Sequence, residues 1–196
     1  GVVATEDATT VARLRAAGAI PLGVTNISEL CMWMESHNRI YGRSRNPYDA
    51  SRIVGGSSGG EGGIVGAGAS PFGLGSDIGG SIRMPAFFNG VFGHKPTGGL
   101  VPFTEQYPGT ATGDVLRYVT TGPLCRRAED LWPLLRILAG PDGNDAGTRD
   151  VTLGDPDTVA LEDLTVVDVT DNGTTPVSRD LREAQQRVVS WLADRG

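Results

Sequence analysis

The chain has 196 residues, 39% of them hydrophobic and 20% charged, with a net charge of −6. That length and composition describe a folded domain with a real core rather than a disordered segment. The acidic balance, without a basic stripe, argues against nucleic-acid binding; no run of about 18 apolar residues spans a membrane; and two cysteines with two histidines are too few for a disulfide framework or a His-rich metal site.

A reduced, cytoplasmic setting fits the two cysteines, Cys31 and Cys125. The chain opens at Gly1 without an initiator methionine, and both ends read as cut, so an upstream targeting segment or membrane anchor is left open. In chain order, residues 6–17 predict a helix, with Val11 and Leu14 on one face and Gly18 as its stop. Residues 19–24 predict a short apolar strand, and 26–34 a short helix capped by Thr25 or Asn26. Residues 35–54 read as polar and irregular. A glycine-rich helix is predicted over 58–69; each helical glycine costs about 1 kcal/mol, so close packing against a sheet is the expected reason. Then come a strand at 71–76, a helix at 81–88, a long loop at 100–116, a strand at 118–121 and a helix at 127–139 closed by Gly140-Pro141. After a polar connection, 164–169 predicts a buried strand and 177–193 an amphipathic helix carrying Leu181, Val188 and Leu192.

Two glycine-flanked serines stand out: Ser57 in Gly55-Gly56-Ser57-Ser58-Gly59-Gly60, and Ser81 in Ser76-Asp77-Ile78-Gly79-Gly80-Ser81-Ile82-Arg83. Backbone N–H groups at a turn entering a helix point outward, so Ile78, Gly79, Gly80 and Ser81 suggest an oxyanion hole beside a nucleophile, each donor being worth about 2.7–4 kcal/mol in a transition state. Asp77 suits the role of holding this turn by accepting backbone N–H bonds. Taken alone, Ser81 is equally a helix-capping serine. Ser57 adds a second hydroxyl able to relay a proton toward a base. A G-x-S-x-G elbow at Ser58 with Asp77 and His94 is the competing arrangement, but the three lie too close in sequence and no strand–elbow context precedes Ser58. Neither a Walker A nor a dinucleotide fingerprint is present, and no cofactor is implied.

These two loops, followed by Gly93-His94-Lys95-Pro96-Thr97-Gly98, resemble the amidase signature family. Flanking pieces agree, among them Gly23-Val24-Thr25-Asn26, Asn46-Pro47 and Thr121-Gly122-Pro123-Leu124-Cys125-Arg126. The resemblance implies an α/β fold, a central mixed sheet flanked by helices in three layers, present here as an incomplete central portion of one domain over residues 1–196. It also implies a Ser–cis-Ser–Lys triad: Ser81 as acylated nucleophile, Ser57 as bridging serine on a cis peptide bond after Gly56, and the 78–81 loop as oxyanion hole. Ser58, Asp77 and Arg83 would support them, and Cys31 falls where some members contact substrate. The family's lysine base belongs to an upstream segment; the single lysine here, Lys95, matches a different motif, so this stretch alone is expected to be inactive. Met84 and residues 121–131 look most like the second fatty-acid amide hydrolase group, which implies a small-molecule amide substrate, cleaved to acid and amine; a homodimer is left open. The alternatives are a non-catalytic remnant or binding module of the same fold, and the amidase-like component (the A component) of a tRNA-dependent amidotransferase.

Overall fold

A computed structural model describes residues 3–107 and 113–195, in two compact units, Gly1–Thr152 and Leu153–Gly196. The first unit opens with helix α1 (Thr9–Ala16), which buries Thr10 and Leu14. A two-residue hairpin follows, β1 (His37–Asn38) against β2 (Gly42–Arg43). Next come α2 (Gly59–Gly66), β3 (Phe72–Asp77), α3 (Arg83–Asn89), β4 (Phe92–Gly93), β5 (Thr120–Cys125) and α4 (Leu131–Leu138). Strands order as β3-β5-β4, and both pairings are antiparallel. The fold class is α/β, as the sequence implies.

Strand β5 is the centre of this sheet, and all six of its residues are buried. The sequence places a strand at 118–121 and stops there because Gly122 and Pro123 depress strand propensity. Burial overrides that preference. Pro123 has no N–H to donate, but its carbonyl accepts the His94 N–H at 3.0 Å. Ile82, Ala86 and Leu124 pack together beneath the sheet, with Val91 against them.

Helix α4 is shorter than the predicted 127–139, because residues 128–130 form a 3-10 turn first. Its last carbonyls have no partner within the helix. Arg13 of α1 supplies them: Nη1 donates to the carbonyls of Leu138, Ala139 and Gly140 at 2.6, 3.0 and 2.9 Å, and Nη2 to Pro141 at 2.9 Å. One guanidinium thus closes a helix end and joins α1 to α4.

Three predicted elements are corrected. Residues 19–24 form no strand: no partner among the described residues pairs with them, and Ile20, Leu22 and Val24 are exposed. An apolar run becomes a strand only when a second segment accepts its hydrogen bonds. Residues 26–34 contain only a 3-10 turn, Glu29–Cys31, because Leu30 and Cys31 adopt left-handed backbone, with φ 51 and 60. The Ser28 hydroxyl, donating to the Trp33 carbonyl at 3.0 Å, closes this loop in place of a helix. In the second unit, residues 164–169 are extended and exposed rather than a buried strand. That unit consists of two 3-10 turns, Pro156–Thr158 and Leu161–Asp163, and helix α5 (Arg179–Ala193). On α5, Leu181 and Val188 are exposed, so the expected apolar stripe is present in sequence without being covered. Part of the predicted 100–116 loop lies outside the described residues.

Candidate active site

The two serine loops meet. The Ser58 N–H donates to the Ser81 carbonyl at 3.2 Å, joining the residue after Ser57 to Ser81 itself. The Gly56–Ser57 peptide bond is cis. Ser57 and Ser58 are buried, while Ser81 is half-buried.

Glycine is required at 56 by proximity. A Cβ there would lie 2.6 Å from the Met34 carbonyl carbon, 2.7 Å from the Glu35 nitrogen and 2.7 Å from the Trp33 oxygen. The 33–35 backbone is therefore pressed flat against the peptide that carries Ser57. In α2, Gly60 and Gly62 serve the same end: the first lies against the backbone of Asn26, the second against Pro85 and Asn89 of α3. The glycine-rich helix therefore packs closely, as the sequence suggests, but against α3 and the 26–36 segment as well as the sheet.

Asp77 organises the second loop. Its Oδ1 accepts the Gly80 N–H at 2.7 Å, and its Oδ2 accepts the N–H groups of Ile82 and Arg83 at 3.0 and 3.2 Å. The Arg83 side chain adds Nε to Oδ2 at 3.1 Å and Nη2 to Oδ1 at 3.0 Å. Burial pushes the Asp77 carboxyl up, but the Arg83 guanidinium and the three N–H groups outweigh it and hold the carboxyl below its ordinary value. The loop's donors are thereby sorted. Gly80, expected among the oxyanion donors, has its N–H committed to Asp77. Among the described residues, the N–H groups of Ile78, Gly79 and Ser81 donate to no protein acceptor. Gly80 itself has φ +130, which an L side chain rarely adopts, and this turns the chain into Ser81.

Ser58 takes a structural position: its Oγ accepts the Ser76 N–H at 3.3 Å and donates to the Ser76 carbonyl at 3.4 Å, tying the first loop to β3. No hydrogen bond joins Ser58, Asp77 and His94 side chains among the described residues, so the elbow arrangement is not assembled. Burial lowers the His94 basicity. Cys31 is half-buried, in the left-handed turn of residues 29–31.

Two residues without a role in the sequence reading prove central. Ser36, fully buried, bonds to both sides of the Ser57 peptide. Glu61 of α2 accepts the Thr25 hydroxyl at 2.7 Å, and a Cβ on Gly73 of β3 would overlap its carboxylate. Burial pushes the Glu61 carboxyl up, against the opposing bonds from Thr25 and the Leu74 N–H. Glu61 is legible as the residue closing the first glycine motif. Ser36 stands alone in a polar stretch, where no spacing marks it.

The family model described as Amidase matches residues 1–196. Fatty-acid amide hydrolase 2-B of Danio rerio is 55% identical over 200 residues, covering 100% of this chain and 36% of the relative. Fatty-acid amide hydrolase 2 of Homo sapiens is 64% identical over 139 residues, covering 71% of this chain and 26% of the relative. Among solved structures, one described as fatty acid amide hydrolase superimposes with a TM-score of 0.88 at 31% identity, covering 99% of this chain and 34% of that one. The chain thus spans only about a third of the length of the relatives it matches.

Proposed function

The chain belongs to the amidase signature family and is similar to fatty-acid amide hydrolase 2, and on that premise we propose that it is the portion of a serine amidase that carries the nucleophile and its bridging serine. The reaction is hydrolysis of a carboxylic or fatty-acid amide to acid and amine through an acyl-serine intermediate. Ser81 Oγ attacks the carbonyl carbon and its proton passes to Ser57 Oγ. Ser57 in turn gives up its own proton to a neutral lysine contributed from outside residues 1–196, since Lys95 belongs to another motif. The N–H groups of Ile78, Gly79 and Ser81 receive the oxyanion, each worth about 2.7–4 kcal/mol. Collapse of the tetrahedral intermediate breaks the C–N bond, and the amine departs with a proton returned through Ser57. Water then cleaves the ester at Ser81.

The observation that carries this reading is the sorting of donors by Asp77, which leaves unpartnered N–H groups on either side of Gly80 at a serine bonded to the Ser57 loop. Residues 1–196 on their own are inactive in this reading, and both units belong to one partial amidase domain, supported by a family match that runs through both. The substrate is a small-molecule amide; no cofactor is called for; the setting is cytoplasmic. No helix among the described residues is long and apolar enough to cross a membrane. The amidase-like component of the glutamyl-tRNA(Gln) amidotransferase of Symbiobacterium thermophilum is 45% identical over 146 residues, less than the hydrolases above, which favours the hydrolase. The test is labelling of the full-length protein with a fluorophosphonate: modification at Ser81 is expected, and labelling that persists in Ser81→Ala overturns the assignment.

A further inference from the structure

We propose that Ser36 is a positioning residue for the proton relay, holding Ser57 in register with Ser81; this rests on the bridging role of Ser57 proposed above. Ser36 has no solvent exposure. Its Oγ lies 3.0 Å from the Ser57 carbonyl oxygen and 3.1 Å from the Gly55 carbonyl oxygen, and its single proton is shared between them. The same Oγ accepts the Gly59 N–H at 2.8 Å, and the Ser36 N–H donates to the Gly55 carbonyl at 3.1 Å. One side chain therefore binds the loop before Ser57, at Ser57 and after it.

The geometry leaves little room for a substitute. A Cβ on Gly59 would overlap Ser36 Oγ, and one on Gly56 would strike the 33–35 backbone. Ser36 is held in turn: its carbonyl accepts the Ser44 N–H at 2.9 Å and the Asn26 Nδ2 at 3.4 Å. Asn26 closes the circuit by accepting the Gly60 N–H at 3.0 Å on its own carbonyl. The Ser57 loop is thus clamped from the 26–44 segment, and Ser36 is where the clamp reaches the relay serine. Ser36 touches neither substrate nor Ser81; it acts through Ser57.

A relay that delivers a proton matters most when the leaving group is a poor one. An amine must leave protonated, whereas a nitrophenolate leaves without help. A misplaced Ser57 therefore slows amide cleavage more than cleavage of an activated ester with the same acyl group. Simple loss of folded protein slows both alike.

The experiment compares Ser36→Ala, Ser36→Cys and Ser57→Ala in the full-length enzyme on a matched anilide and p-nitrophenyl ester, with rates expressed per site titrated to completion by a fluorophosphonate. For Ser36→Ala, kcat on the anilide is expected to fall about 10- to 100-fold, the scale of a small misplacement, with KM little changed and the ester rate falling far less. Ser36→Cys, a weaker donor of similar size, should lie between. Equal losses on both substrates, or no loss, overturn the proposal. So does failure of both Ser36 variants to fold, which would assign Ser36 to the fold as a whole. If Ser57→Ala itself spares the anilide rate, the relay reading fails first and the role of Ser36 falls with it; a selective loss in Ser57→Ala without one in Ser36→Ala removes Ser36 alone.

Discussion

Asp77 and Arg83 meet through two parallel hydrogen bonds, Nη2 to Oδ1 at 3.0 Å and Nε to Oδ2 at 3.1 Å, with the Asp77 side chain wholly buried and the Arg83 side chain 55% exposed. The carboxylate of this pair also accepts three main-chain N–H groups, so one buried charge fixes the conformation of the loop that ends in Ser81.

Replacing that charge should disturb both catalysis and acid stability. Asp77→Asn places an NH2 group where an acceptor is needed, so some of these donors lose their partner. Fluorophosphonate labelling of the full-length enzyme is expected to slow about 100-fold. Because the folded Asp77 carboxyl titrates below its ordinary 3.8, its contribution to stability is complete above that value and is lost as pH falls through the lower folded value. The melting temperature of the wild type should therefore drop on acidification below about pH 4, and the variant's should drop less. Parallel curves for the two proteins would contradict this.

Glu61 should show the opposite sign. Its carboxyl is raised from 4.5 by burial, so the native state holds the proton longer than the unfolded chain does. The stabilisation is present below pH 4.5 and is lost as pH rises through the folded value. Glu61→Gln removes that ionisation. Urea denaturation at a series of pH values above 4.5 should show the wild type losing stability that the variant keeps. A wild type whose stability rises there relative to the variant would refute the assignment.

A single methyl group at residue 56 is expected to be poorly tolerated. The Cβ of Gly56→Ala meets main-chain atoms of Trp33, Met34 and Glu35 at 2.6–2.7 Å, and backbone cannot swing aside as a long side chain can. The expected loss is about 1–3 kcal/mol or more. Gly79→Ala is the control for stability, because nothing lies within 4 Å of its Cβ and its φ is not left-handed. It should leave stability within about 0.5 kcal/mol. Equal melting temperatures for Gly56→Ala and wild type would show that the 33–35 segment is not pressed against the Ser57 loop.

Much of the site is legible in the sequence because its chemistry is local. Gly55 to Gly60 and Ser76 to Arg83 are continuous stretches in which glycines, serines and an acid stand at fixed offsets. Such a turn follows largely from which φ values and side-chain acceptors those residues allow. The same locality explains why β3, α2 and α5 fall close to their predicted positions. What residues far apart in the chain do to one another could not be read in this way. Residues 19–24 and 164–169 have the apolar composition of strands but no pairing partner among the described residues, and β5 forms through Gly122 and Pro123 because the sheet buries it from both sides. Tertiary packing alone decided that Asp77 takes the Gly80 N–H and leaves those of Ile78, Gly79 and Ser81 unpartnered. It also brought Ser36 to the Ser57 peptide, 21 residues along the chain. A hydrogen bond depends on distance and angle in space, and a sequence specifies these only where the intervening chain is short.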